Sequence, residues 1–337
     1  MAGQLHDTEQ VQHSTKGKGR ESAVPDRLYS RIVTRDNARV HMGDVYNYHS
    51  HHNVDHEHHE QRRLLEQRRV LDWLTALDPS SSHNQAWNQY QEGTLGWFFK
   101  DAGFQAWRDD WDHWTSRTLW CRGDLGTGKT TLVAQILNHL QSSSKQNCGL
   151  AVVYFRVAEH NAQTPEMVLG SILVQLYQRD DHSFDIPSNV TEVFNSISRK
   201  FSAWRRPRAP KLKELEIWLD QRLSHPQHTY VLLDALDEMY PKYRRQLLRT
   251  LQKPHPTLRL LATSRNIPEI GSELPEHREI EISAHKRDLR TLIHARLHDQ
   301  GTETFREAIL RQSSNSPFFA TIEEEIISKV IDSAKNM

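Results

Sequence analysis

From Thr118 onward, continuous apolar runs alternate with stretches in which apolar residues recur every three or four positions. The runs are "TLWC" (Thr118 to Cys121), "LAVVYFRV" (Leu150 to Val157), "TYVLLDALDEM" (Thr229 to Met239) and "LRLLATSR" (Leu258 to Arg265), and a further strand segment is "REIEIS" (Arg278 to Ser283). Runs of this kind, bounded by turn formers, predict buried strands. Between the first two, Leu132, Val133, Ile136, Leu137 and Leu140 fall on one face of a helix. "TPEMVLGSILVQL" opens a second helix, with Thr164 as N-cap and Pro165 in the first turn. Further helical patterns, Val193 to Ile197 and Leu212 to Leu219, flank the basic "RRPRAP". Strands alternating with helices predict an α/β fold. Its sheet should be mostly parallel and covered on both faces, with ligands at the carboxyl ends of the strands.

Before Thr118 the pattern changes. Residues 1–27 carry no apolar period and read as a disordered tail. In Arg31 to His49, Ile32 and Val33 are followed by Ala38, Val40 and Met42 alternating with Arg39, His41 and Gly43, a strand-like period of two. Six histidines then fall between His49 and His59. They read as a solvated polar linker, or else as imidazoles able to take Zn²⁺ or Ni²⁺. A charged helix is expected from Glu60, with Leu64, Leu71 and Leu74 on one face, broken by "DPSSSHNQ". The aromatic-rich "GTLGWFFKDAGFQAWRDDWDHW" leads to the first strand. The expected organisation is a tail (1–27), a strand-like motif and His-rich linker (28–60), a helical and aromatic-rich region (61–115), an α/β domain (116–285), and the start of a helical domain (286–337).

Composition narrows this picture. At 337 residues the chain has room for about two domains. Lys+Arg and Asp+Glu both total 43, so bulk charge gives no sign of a nucleic-acid partner. Two cysteines, Cys121 and Cys148, do not make a disulfide framework and suit a reducing compartment. No apolar stretch approaches the roughly 20 residues of a membrane span, and the first residues lack the apolar core of a secretory signal. A cytoplasmic protein with no membrane span is expected.

Candidate chemistry enters with "CRGDLGTGKTTL" (Cys121 to Leu132). Gly123, Gly128, Lys129 and Thr130 satisfy G-x-x-x-x-G-K-[ST], and the motif lies between a strand and a helix, as a phosphate loop requires. There, backbone N–H groups point at a phosphate, Lys129 reaches the terminal phosphates and the Thr130 hydroxyl helps hold Mg²⁺. The bland alternative is a Gly-rich turn with a solvated lysine. In "YVLLDALDE" the apolar run ends at Asp234, where a carboxylate can hold Mg²⁺. Asp237 and Glu238 follow, and either could orient or deprotonate an attacking water; a solvated acidic turn is the competing reading. In "LLATSR", Thr263, Ser264 and Arg265 just past another strand would face the γ-phosphate, or else form an ordinary helix cap.

The order of these features resembles the nephrocystin-3-like N-terminal nucleotide-binding domain of fungal NACHT/STAND proteins, relatives of NOD-like receptors. The likeness runs from about Leu71 to Met337 through "LDWLTALDPSS", "EGTLGWFFKDAGFQAW", "LWCRGDLGTGKTTL", "TPEMVLGSILVQL", "YVLLDALDE", "LLATSR" and "IEISAHKRDLRTLIHARL". It implies a P-loop NTPase with a parallel five-stranded sheet of ASCE-type order 5-1-4-3-2. It also implies ATP, or less readily GTP, with Mg²⁺, and slow hydrolysis serving as a switch in signalling or non-self recognition. By position, Gly123, Gly126, Thr127, Gly128, Lys129, Thr130 and Thr131 match the Walker A loop. Asp234 matches the Walker B metal residue, Asp237 and Glu238 the following acidic pair, and Arg265 the sensor; Gly93 to Trp97 flank the base in such proteins. Such proteins continue into a helical bundle, a winged-helix lid and usually repeats, whereas this sequence stops at "EEEIISKVIDSAKNM". A truncated member, a gene fragment or a part of a longer chain is therefore expected.

"NARVHMGDVY" is similar to the amyloid motif shared by the fungal heterokaryon-incompatibility prion and the NOD-like receptors that signal to it. Residues 31–49 would then bind an amyloid-type partner by stacking, or serve as a short edge strand or linker. Expected partners are thus nucleotide, further copies of the chain and that amyloid-type partner. Two other classes stay open: a catalytic P-loop enzyme such as a small-molecule kinase, and an interaction protein with an inert phosphate loop.

Overall fold

Five strands and ten helices are described in the computed structural model. It describes residues 54–75, 77–111, 117–143, 148–159, 161–178, 183–200, 207–225, 228–298 and 328–329. All of these belong to one unit, residues 49–337. In chain order come α1 (Val54–Leu74), α2 (Ser80–Asn88), α3 (Ala102–Asp109), β1 (Thr118–Arg122) and α4 (Lys129–Ser143). Next are β2 (Gly149–Tyr154), α5 (Pro165–Tyr177), α6 (Ser188–Ser198), α7 (Leu212–Leu223) and β3 (Thr229–Asp234). The series ends with α8 (Pro241–Leu251), β4 (Leu258–Ser264), α9 (Pro268–Glu273), β5 (His277–Glu281) and α10 (Lys286–His298). The strand-like motif at 31–49 and the histidines at 49–52 lie outside the described residues, so neither reading of them is tested.

The five strands form one parallel sheet in the order β2-β3-β4-β1-β5, the ASCE-type order expected. Every residue of β3 and β4 is buried, which is why these strands read as unbroken apolar runs. Alternate side chains feed two cores. Trp120, Val153, Val231, Leu233 and Leu260 point to the side packed by α1, α5, α6, α7 and α8. Leu119, Cys121, Val152, Leu232 and Leu261 point to the side packed by α3 and α4. The aromatic-rich stretch supplies that second core: Phe98, Phe104 and Trp107 are fully buried, and the Trp107 indole donates to the Leu260 carbonyl at 3.0 Å.

Two local expectations are corrected. "SSSHNQ" does not lie in a break but forms α2; the break falls just before it, around Asp78 and Pro79. There the Asp78 carboxylate accepts from the Ser80 backbone N–H at 2.9 Å. Helix α1 also starts at Val54 rather than Glu60, and Leu64 is exposed. The apolar contact of α1 begins at Val70 and continues through Leu71 and Leu74. Earlier on that helix the contacts are made by polar side chains: Gln67 donates to the Phe184 carbonyl and the Arg69 guanidinium lies over the Phe194 ring.

Helices α1 and α5 meet backbone to backbone. A Cβ on Gly170 would stand 2.1 Å from the Leu74 carbonyl oxygen. Gly170→Ala is therefore expected to push α1 off α5 and destabilise the protein by about 1–3 kcal/mol. Urea denaturation with an unchanged midpoint would show that the two helices part without cost.

Candidate functional site

The predicted residues gather where β1, β4 and β3 end side by side. β1 leads into the phosphate loop. Gly126 (φ +78) and Gly128 (φ +87) hold left-handed backbone that a side chain would strain. Gly123 is needed for a different reason: a Cβ there would lie 2.2 Å from the Ile282 carbonyl oxygen and 2.9 Å from Thr127 Oγ1. Helix α4 begins directly at Lys129, with Leu132 N donating to Gly128 O at 2.8 Å. The N–H groups of Lys129, Thr130 and Thr131 thus belong to a helix N-terminus and face the loop. Lys129 Nζ donates to Gly123 O (2.7 Å) and Asp124 O (2.6 Å), spanning the mouth of the loop. Burial lowers the pKa of its ammonium, while Asp237, Asp234 and Asp124 act in the opposite sense.

Asp234 ends β3, with 2% of its surface exposed. Burial raises the pKa of its carboxyl, against hydrogen bonds from Thr263 and Thr130 and the charge of Lys129. Thr263 Oγ1 donates to Asp234 Oδ1 at 2.6 Å and accepts from Ala235 N at 2.9 Å. That second bond steadies Ala235, a non-glycine residue at φ +55. The residues suit Mg²⁺. A buried carboxylate short of positive charge stands beside the Thr130 hydroxyl, and both are the hard oxygen donors this cation takes.

After Asp234 the two acidic residues diverge. Asp237 turns to β4, where its carboxylate accepts from Arg265 Nε (2.6 Å) and Arg265 N (3.1 Å). Glu238 turns to the end of β2, where Oε2 accepts from Val157 N at 3.0 Å. β4 is also tied to the phosphate loop: Gly123 N donates to Ser264 O at 3.1 Å, and Trp120 Nε1 donates to Ser264 Oγ at 2.8 Å. Lys129, Thr130, Asp234, Asp237 and Arg265 therefore gather around the phosphate loop, with Glu238 on the β2 side.

Gly93 to Trp97 sit against α10. Leu95 N donates to Asp288 Oδ2 at 2.9 Å, and Trp97 stacks on His285 with ring centroids 4.3 Å apart. Sequence reasoning missed a further pair. Tyr154 ends β2 in register with Asp234, and its hydroxyl lies 3.0 Å from Nδ1 of His83 on α2. Burial, reinforced by Asp234, raises the Tyr154 pKa, and burial lowers that of His83, so the pair is a neutral hydrogen bond at pH 7. No motif marks either residue. Among the described residues no cluster of three or more metal-ligating side chains occurs, and no helix is long and apolar enough to cross a membrane.

The profile of the family described as "Nephrocystin 3, N-terminal" matches residues 93–265, just over half of the chain. The vegetative incompatibility protein HET-E-1 of Podospora anserina is 24% identical over 189 residues, 53% of this chain and 13% of that protein. Among solved structures, Cdc6p of Pyrobaculum aerophilum is 16% identical, with a TM-score of 0.35 over 53% of this chain and 42% of its own. The Orc1 protein of Aeropyrum pernix, solved with DNA, is also 16% identical, with a TM-score of 0.31 over 58% of this chain and 49% of its own. The chain thus spans a small part of the incompatibility protein and under half of either structure. With its family profile running from Gly93 to Arg265, and its strands in the ASCE-type order, the chain belongs to the nephrocystin 3 N-terminal family of NACHT/STAND-like P-loop NTPases.

Proposed function

We propose that this protein is a nucleotide-dependent molecular switch that binds ATP in preference to GTP, together with Mg²⁺, and hydrolyses it slowly. One observation carries the reading. A lysine, a hydroxyl, a buried carboxylate and an arginine from three strand ends converge on a single helix N-terminus. In this reading the α4 N-terminus and Lys129 bind the phosphates, and Gly123, Gly126, Thr127, Gly128 and Thr131 shape the loop around them. Thr130 and Asp234 hold Mg²⁺, which when bound neutralises charge on the phosphate oxygens. Glu238 orients the attacking water and takes its proton, while Arg265 reads the terminal phosphate.

The biological setting proposed is cytoplasmic signalling or non-self recognition, supported by the likeness to a vegetative incompatibility protein. Self-association, and an amyloid-type partner for residues 31–49, belong to the same proposal. The test separates the two acidic roles. Asp234→Asn is expected to weaken Mg²⁺-dependent nucleotide binding about tenfold or more, because a charged contact to the cation is lost. Glu238→Gln is expected to keep binding and slow hydrolysis about a hundredfold, within the range for a lost general base. Nucleotide titrations with and without Mg²⁺, followed by single-turnover hydrolysis, measure both. If Glu238→Gln turns over at the wild-type rate, the base assignment is wrong. Titration with Mg-GTP beside Mg-ATP settles the base preference.

A further inference from the structure

Asp237 is used in an unusual way for an acidic residue beside a phosphate loop. Its side chain is 3% exposed, whereas the Arg265 side chain it meets is 55% exposed. One carboxylate oxygen accepts from the Arg265 backbone N–H and the other from Arg265 Nε. Both oxygens are thus committed to a single residue, which leaves Asp237 poorly placed to take a proton from water. The arginine is the freer partner. A guanidinium carries five N–H donors, and Asp237 engages only the one on Nε. Among the described residues, Nη1 and Nη2 of Arg265 have no hydrogen-bond partner.

Gripping an arginine at Nε fixes its plane and leaves its two terminal nitrogens as a fork matched to phosphate oxygens. The backbone beneath is fixed as well. Ser264 O accepts from Gly123 N, and Thr263 binds both Asp234 and Ala235, so the end of β4 cannot shift without disturbing β1 and β3. The remaining freedom lies in the Arg265 side chain, and the Asp237 carboxylate removes much of it. Arg265 stands beside the phosphate loop, since Ser264, the residue before it, accepts from Gly123 N through its carbonyl.

From this geometry we infer that Asp237 is a positioning residue, which aims the Nη1/Nη2 fork of Arg265 at the terminal phosphate of a bound nucleoside triphosphate. The inference rests on the nucleotide-binding reading above and assigns Asp237 a part distinct from that of Glu238. It makes discrimination between tri- and diphosphate a property of the pair.

The test uses the full chain and compares Mg-ATP with Mg-ADP by calorimetry. Asp237→Ala is expected to weaken ATP binding about tenfold while ADP affinity stays within about twofold, as expected when one charge-assisted contact to the terminal phosphate is lost. Arg265→Ala should do the same, and the double variant should be no worse than Arg265→Ala alone, since both remove one interaction. Arg265→Lys keeps the charge without the fork, so it should also lose discrimination, which guards against a misfolded Asp237→Ala. The inference is overturned if Asp237→Ala weakens ATP and ADP equally, if the single effects multiply in the double variant, or if Arg265→Lys discriminates like wild type. It is also overturned if Asp237→Ala binds ATP normally but no longer hydrolyses it, which would make Asp237 the base. A wild-type chain that binds neither nucleotide sinks the nucleotide-binding reading and this inference together. Wild-type discrimination that survives in Asp237→Ala sinks the inference alone.

Discussion

Replacing Lys129 with alanine is expected to abolish measurable Mg-nucleotide binding while the protein stays folded. The ammonium spans the loop between Gly123 O and Asp124 O, where phosphate oxygens would take over its donors. A charge-assisted hydrogen bond contributes about 1.5–3 kcal/mol, so each lost contact lowers affinity roughly ten- to a hundredfold. Two such contacts to neighbouring phosphates would carry a micromolar ligand out of the measurable range. The fold does not depend on this side chain. Helix α4 is anchored by Leu132, Val133 and Ile136, all fully buried, and melting should stay within about 2 °C of wild type. Calorimetric affinity equal to that of wild type would remove Lys129 from the phosphate contacts.

The second large effect concerns stability. Trp107→Ala is expected to cost about 3–5 kcal/mol, the range for deleting a buried large aromatic. The indole is fully buried, touches the Phe104 and Tyr230 rings at centroid distances of 5.8 and 5.4 Å, and donates to Leu260 O. Its removal leaves a cavity beneath β4 and takes away the hydrogen bond that the indole gives the Leu260 carbonyl. For a domain of this size the melting temperature should fall on the order of 10 °C. Trp107→Phe keeps most of the apolar volume and should lose about 1–3 kcal/mol for the hydrogen bond and the smaller ring. An alanine variant that melts with wild type would mean that the aromatic stretch does not build the core on that side.

What could be read from the sequence was local. A phosphate loop is a strand, a turn and a helix in succession, and β3 announces Asp234 by a fully apolar run, so these residues followed from short-range pattern, whereas the strand order came only with the family resemblance. The contacts that were not legible join distant positions. Asp237 and Arg265 are 28 residues apart, and His83 and Tyr154 are 71. Nothing in the periodicity of either segment names its partner. Helix α2 escaped for another reason: of its nine residues only Ala86 is buried, so it carries no apolar stripe to recognise. Leu64 failed in the opposite sense, since a helical face continued in sequence beyond the point where α1 meets its apolar floor.

The place of β1 in the sheet bears on how the chain acquires its site during synthesis. Among the described residues β1 is the first strand made, yet its two neighbours, β4 and β5, follow only after β2 and β3. Arg122 at the end of β1 meets Glu281 at the end of β5 across 159 residues, and Gly123 packs against Ile282 just beyond. Loops of that length must close before their contacts give any return, which slows folding and leaves early strands unpaired. On a ribosome adding about 5–20 residues per second, the phosphate loop waits on the order of ten seconds or more for the strands that hold it. During that interval a nucleotide finds no finished cradle, so ligand cannot template the early steps. The nascent chain must keep "TLWC" and "LAVVYF" from pairing with other chains by slow emergence or by a chaperone, and binding competence arrives only once β5 is in place.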